Sequence, residues 1–149
     1  MDVRVYWTTL DDDRHELWST SYCLYAYLHP ERNWLFYIGK ADYSTVRRRL
    51  HGDHKSEVFG AIWRRYEVDQ VRVLHGELAL EDGRNRTSTL LGDVESLLIM
   101  RLQPFANIAN TNSRFTRPGM RVFCEGDWPF KRRRFMTTGR EALQARCAR

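Results

Sequence analysis

The sequence predicts an α+β domain: a small, largely antiparallel three-stranded sheet flanked by helices, with a basic C-terminal extension. Three observations carry this. Two aromatic runs, residues 22–28 and 34–39, are separated by His29-Pro30-Glu31-Arg32-Asn33, a polar turn by composition, and together read as a β-hairpin. Beyond Ser44 the apolar residues recur every three or four positions, the period of helices rather than strands. Residues 71–78 then alternate as a third strand after the helices, so the hairpin is not part of a βαβ unit. At 149 residues, 42% hydrophobic and 13% aromatic, the chain has the size and composition of one folded domain.

Residues 1–20 read as an irregular lead-in whose Asp11-Asp12-Asp13 run is a solvated loop. After the hairpin, Ser44 or Asp42 can cap a helix with Val46 and Leu50 four apart on its buried face, and Gly52 marks its end. Ser56 starts a second helix with Val58, Phe59, Ile62 and Trp63 at helical spacing. The polar residues 81–86 form a loop. A third helix over 88–102 carries the apolar stripe Val94, Leu97, Leu98 and Leu102, and Pro104 stops it. Within the extension, residues 120–124 resemble another short strand. The expected division is a lead-in over 1–20, a core over 21–109 and a basic extension over 110–149.

Composition excludes several classes. No run approaches the ~20 apolar residues that cross a bilayer, and the first residues lack the basic and apolar regions of a secretory signal. Cys23, Cys124 and Cys147 are odd in number, dispersed and without a CxxC pair, which argues against a disulfide framework or cysteine zinc site and for a reducing, cytoplasmic setting. The net charge of +5 is unevenly spread: residues 113–149 carry +7 and the first 112 carry −2. Such asymmetry suits a polyanion, most commonly nucleic acid.

Four pieces of sequence, in order, resemble the GIY-YIG nuclease superfamily. Leu24-Tyr25 is followed twelve residues on by Tyr37-Ile38-Gly39 and then Lys40-Ala41; Val46-Arg47-Arg48-Arg49-Leu50 resembles the arginine-bearing helix. Glu95-Ser96-Leu97-Leu98-Ile99 resembles the glutamate helix, with Pro104 nine and Asn107 twelve residues after the glutamate, a spacing most like the nuclease of bacterial excision repair. The resemblance covers residues 21–109 and departs from the family at Cys23, where a glycine is usual. It implies a GIY-YIG-like core and a metal-dependent endonuclease acting on nucleic acid, DNA in preference to RNA. Tyr25, Tyr37, Lys40, Arg49 and Glu95 are its expected catalytic residues, with Glu95 holding Mg²⁺ (or Mn²⁺).

These residue types suit phosphodiester cleavage on chemical grounds. The reaction needs an activated water and neutralisation of phosphoryl charge. One carboxylate can hold Mg²⁺ while waters and phosphate oxygens complete its shell. Arginine gives permanently charged bidentate contact to phosphate. A neutral tyrosine is a poor base at pH 7; Lys40 can favour a phenolate nearby, and the family resemblance implies that Tyr25, Tyr37 or both lie beside the attacking water. Among the three adjacent arginines, helical geometry puts Arg49 beside buried Leu50 and Arg48 toward solvent, with Arg47 on the opposite edge as the reserve. Arg47, His54, Asn107 and the run Lys131, Arg132, Arg133 and Arg134 are the expected substrate-binding residues. His51 and His54 read as a surface pair. Two other classes compete: a nucleic-acid-binding module that keeps the fold without cutting, and a domain whose basic tail binds acidic protein surfaces.

Overall fold

The computed structural model describes residues 1–52, 55–81, 83, 86–107 and 117–137. His54 and the ends of the basic extension therefore lie outside the described residues. The chain orders as β1 (Asp2–Thr9), a 3₁₀ turn (Glu16–Ser19), β2 (Cys23–Leu28), β3 (Leu35–Ala41), α1 (Val46–Leu50), α2 (Lys55–Tyr66), β4 (Arg72–Leu80), α3 (Ser88–Leu102), β5 (Arg121–Gly126) and β6 (Arg134–Met136). The α+β class holds. The sheet is larger than expected: among the described residues it has six strands, in the order β3-β2-β4-β1-β5-β6, instead of three. It is mixed, because β1 pairs antiparallel with β4 and parallel with β5.

The difference begins in the supposed lead-in. Val3, Val5 and Trp7 are buried and alternate with Arg4 and half-exposed Tyr6, a period-two pattern that makes residues 2–9 a strand. Its apolar face joins the core that also holds α3. At its end, Gly126 (φ 74°) approaches so closely that a Cβ there would stand 2.4 Å from the Trp7 carbonyl oxygen, which requires glycine on both steric and conformational grounds.

The curled sheet wraps α3. Leu90, Leu91, Val94, Leu97 and Leu98 pack against Val3, Val5, Leu24, Ile38, Leu78 and Val122 in the principal core. A second core on the opposite face joins Tyr25, Tyr27 and Phe36 to Val46 of α1, Val58 and Ile62 of α2, and Trp18. With both faces covered, every residue of β2 is buried. Helix α1 has only five residues and is capped by Thr45, whose side chain accepts from the Arg48 amide, instead of Ser44 or Asp42. Trp63 is 54% exposed and faces away from the core that its spacing suggested. Helix α3 ends where expected, on Gln103 in the left-handed region (φ 48°), immediately before Pro104.

The described part of the extension completes the sheet. β5 pairs with β6 antiparallel, and buried Trp128 and Phe135 join the principal core. Lys131, Arg132, Arg133 and Arg134 are exposed. Arg133 also has a structural part, donating to the Cys124 and Trp128 carbonyls at 3.2 and 3.0 Å.

Candidate active site

The hairpin brings three tyrosines together. In the β2–β3 register Tyr25 faces Gly39 and Tyr27 faces Tyr37. A Cβ on Gly39 would lie 2.5 Å from the Tyr25 hydroxyl oxygen and 2.8 Å from the Tyr37 ring, so only glycine lets the Tyr25 ring lie across β3. Ring centroids of the three tyrosines are 5.4–6.0 Å apart. Burial holds the Tyr25 and Tyr37 phenols above their ordinary pKa, so both are neutral at pH 7.

Into this cluster projects Lys55, the first residue of α2. Its Nζ donates to Tyr25 Oη at 2.7 Å and lies 3.9 Å from the Tyr37 ring centroid. The residue is 1% exposed. Burial depresses its pKa to about 7; Arg49 pushes the same way and Glu95 opposes. A buried ammonium at the positive end of a helix dipole is an unfavourable placement. The tyrosine rings and hydroxyl stabilise it through hydrogen bonding and cation–π contact.

Around the C-terminal end of β3 a second constellation is organised by Asp42. Its buried carboxylate accepts from Ser88 Oγ at 2.8 Å and from the Tyr43 amide at 3.0 Å. It also pairs with Lys40 at 3.2 Å and Arg49 at 3.3 Å. Burial alone would raise its pKa, but the Ser88 and Tyr43 hydrogen bonds and Lys40 outweigh it and hold Asp42 at about 2. Arg49 Nε is buried with no hydrogen-bond partner. Helix α3 crosses close by: a Cβ on Gly92 would stand 3.4 Å from Lys40 Nζ. One turn on, burial pushes the Glu95 carboxyl up to about 7, with Asp42 adding and Lys40, Lys55 and Arg49 opposing.

Asn107 has a positioning part. Its Oδ1 accepts from the Ile38 amide at 2.9 Å and its Nδ2 donates to the Ile38 carbonyl at 2.8 Å, imitating a neighbouring strand. With Ala106 donating to the Phe36 carbonyl at 2.7 Å, it pins the chain after α3 along the edge of β3.

Of the residues expected from sequence, Tyr25, Tyr37, Lys40, Arg49 and Glu95 thus share one region, and Asn107 supports it from behind. Arg47 is not drawn in: its guanidinium stacks over Trp18 at 5.5 Å and donates to the Asp13 carbonyl. Lys131, Arg132 and Arg133 lie in the β5–β6 turn and Arg134 opens β6, the strand at the opposite end of the strand order from β3. Lys40 engages Asp42, and the cation that reaches the tyrosines is Lys55. Neither Lys55 nor Asp42 is among the site residues expected from the sequence, where Asp42 figures only as a possible helix cap. The available signal for Lys55 is a cation on the first residue of a helix, in conflict with the dipole. No protein-family model, curated protein or solved structure matches the chain significantly.

Proposed function

We propose that the protein is a divalent-metal-dependent endonuclease of the GIY-YIG type that hydrolyses phosphodiester bonds, DNA in preference to RNA. The observation that carries this reading is the gathering, at one end of β3, of two tyrosines, a lysine, an arginine and a glutamate contributed by β2, β3, α1 and α3. The element order from β2 to α3 also supports a GIY-YIG-like core, on which β1, β5 and β6 enlarge the sheet.

The donor set fits Mg²⁺ or Mn²⁺ in the one-carboxylate manner. Among the described residues no three His, Cys, Asp or Glu side chains cluster to enclose a metal ion. Glu95 instead offers one partly buried carboxylate, the nearby Asp42 being engaged by Ser88, Lys40 and Arg49, and Mg²⁺ is commonly held by one carboxylate with waters and phosphate oxygens. When bound there, the ion would supply charge neutralisation at the phosphate and leaving oxygen.

The remaining chemistry belongs to the chain. Arg49, fixed by Asp42 through Nη2 and with its side chain about a third exposed, offers the accessible part of its guanidinium to a phosphoryl oxygen. Lys40, held by the same carboxylate, adds a second positive charge. Tyr37 stands beside the attacking water. The Tyr25 and Tyr37 hydroxyls are hydrogen-bonded to each other, and with Lys55 neutral Tyr25 Oη can donate to Nζ and accept from Tyr37. A proton leaving water at Tyr37 Oη then moves inward through Tyr25 to Lys55. That route suits phenols too weakly acidic to persist as phenolates near pH 7.

Incubation with supercoiled plasmid, linear duplex, single-stranded DNA and RNA, each with Mg²⁺ or EDTA, tests the reading. Mg²⁺-dependent internal cleavage of a DNA substrate is expected. Salt-sensitive binding without cleavage of any substrate would favour the non-cutting module instead.

A further inference from the structure

We propose that the aromatic groove at the N-terminal end of β3 holds unpaired nucleobases, and that the substrate is therefore a nucleic acid with a single-stranded segment beside the cut. The groove has a volume of about 480 Å³ and is walled chiefly by Trp34, Tyr66, Leu102, Phe105 and Phe130, with no carboxylate in its lining. Trp34 and Phe105 are 42% and 41% exposed and stand together in this groove, and it is their clustering, not exposure alone, that marks the patch. Tyr66 lies between them, 5.5 Å from the Trp34 ring centroid and 5.3 Å from that of Phe105. Loop, helix and post-helix segments thus form one ledge of three rings.

Cations border the ledge. Arg32 lies over Trp34 at 4.6 Å and Arg65 over Tyr66 at 5.6 Å. Arg72 donates to Asn33 Oδ1 at 2.9 Å on the same rim, and exposed Lys131 follows Phe130. Glu31 and Glu67 are the acids adjacent in sequence, so the rim keeps a positive balance. Aromatic faces bordered by arginine and lysine are the means by which proteins hold single strands: bases stack while cations follow the phosphates. A duplex keeps its internal bases stacked on one another and offers free faces to the ledge only at its ends. The larger cleft of about 630 Å³ on the molecule lacks this character, since Asp13 and Asp69 line it and would repel phosphates.

Position links the groove to the candidate site. Leu35 lines the groove and Lys40 lies at the site, five strand residues or roughly 17 Å apart. A strand of a few nucleotides spanning that distance, outside the chain that Ala106 and Asn107 pin to β3, would place bases on Trp34 and a phosphate near Lys40 and Arg49. This assignment of the bases to a substrate rests on the nuclease reading above.

Binding of a labelled oligothymidylate and of a blunt duplex of equal length, in EDTA, tests the groove without requiring cleavage. Trp34→Leu and Phe105→Leu preserve apolar bulk but remove the stacking face. Each is expected to weaken oligothymidylate binding by roughly ten-fold or more, with duplex binding within two-fold of wild type. Unchanged oligothymidylate affinity in both variants, or equal loss on duplex, overturns the proposal. So does preferential binding of a proline-rich peptide that the oligothymidylate cannot displace. Ring-dependent single-strand binding without cleavage of any substrate would remove the nuclease reading and keep the groove. Mg²⁺-dependent cleavage with ring-independent binding would do the reverse.

Discussion

Lys55→Met should make the protein more stable at pH 6.5 and lose that advantage by pH 10. Methionine keeps the length and apolar stem of lysine but carries no charge into the tyrosine cluster. In the folded protein the Lys55 pKa falls from 10.5 to about 7. At roughly 1.4 kcal/mol per pH unit, keeping the ammonium charged below pH 7 costs on the order of 5 kcal/mol. The substitution also removes the 2.7 Å hydrogen bond to Tyr25 Oη, a loss of about 1–3 kcal/mol. The net expectation is a gain of roughly 2–4 kcal/mol at pH 6.5 and a small loss at pH 10. The sign follows from linkage. A lysine with a depressed folded pKa binds fewer protons folded than unfolded between about 7 and 10.5. Its contribution to wild-type stability is therefore full above that window and is lost as pH falls through it. Urea unfolding of both proteins from pH 6.5 to 10 measures this directly. Parallel stability curves, or a variant that is worst at pH 6.5, would refute the account of a buried, charge-averse lysine.

Other expectations concern the surrounding residues. Arg49→Ala should lower turnover by several kcal/mol in activation free energy, whereas Arg47→Ala should leave it nearly unchanged; single-turnover cleavage of one DNA substrate by both variants decides, and a reversed order would move the phosphate contact to Arg47. Asn107→Ala strips partners from the buried Ile38 amide and carbonyl and should destabilise by about 2–4 kcal/mol in urea unfolding, an effect absent if those groups rehydrate. Neutralising Lys131, Arg132 and Arg134 while sparing Arg133 should reduce the salt slope of duplex binding by about 0.9 per lost contact and leave saturated turnover intact. An unchanged slope would make the run a solubility feature.

The hairpin and α3 were legible because each is long, strongly patterned and bounded by a plain stop: aromatic runs around Pro30 and Asn33, and an apolar stripe ending at Pro104. The Val46–Leu50 register likewise favoured Arg49 over Arg47 as the arginine beside Leu50, and it is Arg49 that pairs with Asp42. β1 was hidden by the acidic run after it, although Val3, Val5 and Trp7 alternate plainly. Its membership in the sheet depends on pairing with residues 72–80 and 121–126, far along the chain. Lys55 and Asp42 were illegible for a different reason. Sequence reads an isolated charge as solvated, and only the folding of α2 over three tyrosines, or of Ser88 against residue 42, reverses that expectation.

The claim on which the functional reading stands is that Glu95 serves the chemistry and not the binding. Wild type and Glu95→Gln, which preserves size and hydrogen-bonding shape, should be compared for Mg²⁺-dependent cleavage of supercoiled plasmid and for DNA affinity in EDTA. Wild-type nicking, its near-complete loss in the variant and affinities within about three-fold of each other are the expected result. Cleavage by the variant at the wild-type rate, with the same metal requirement, would contradict the site and the nuclease mechanism built on it.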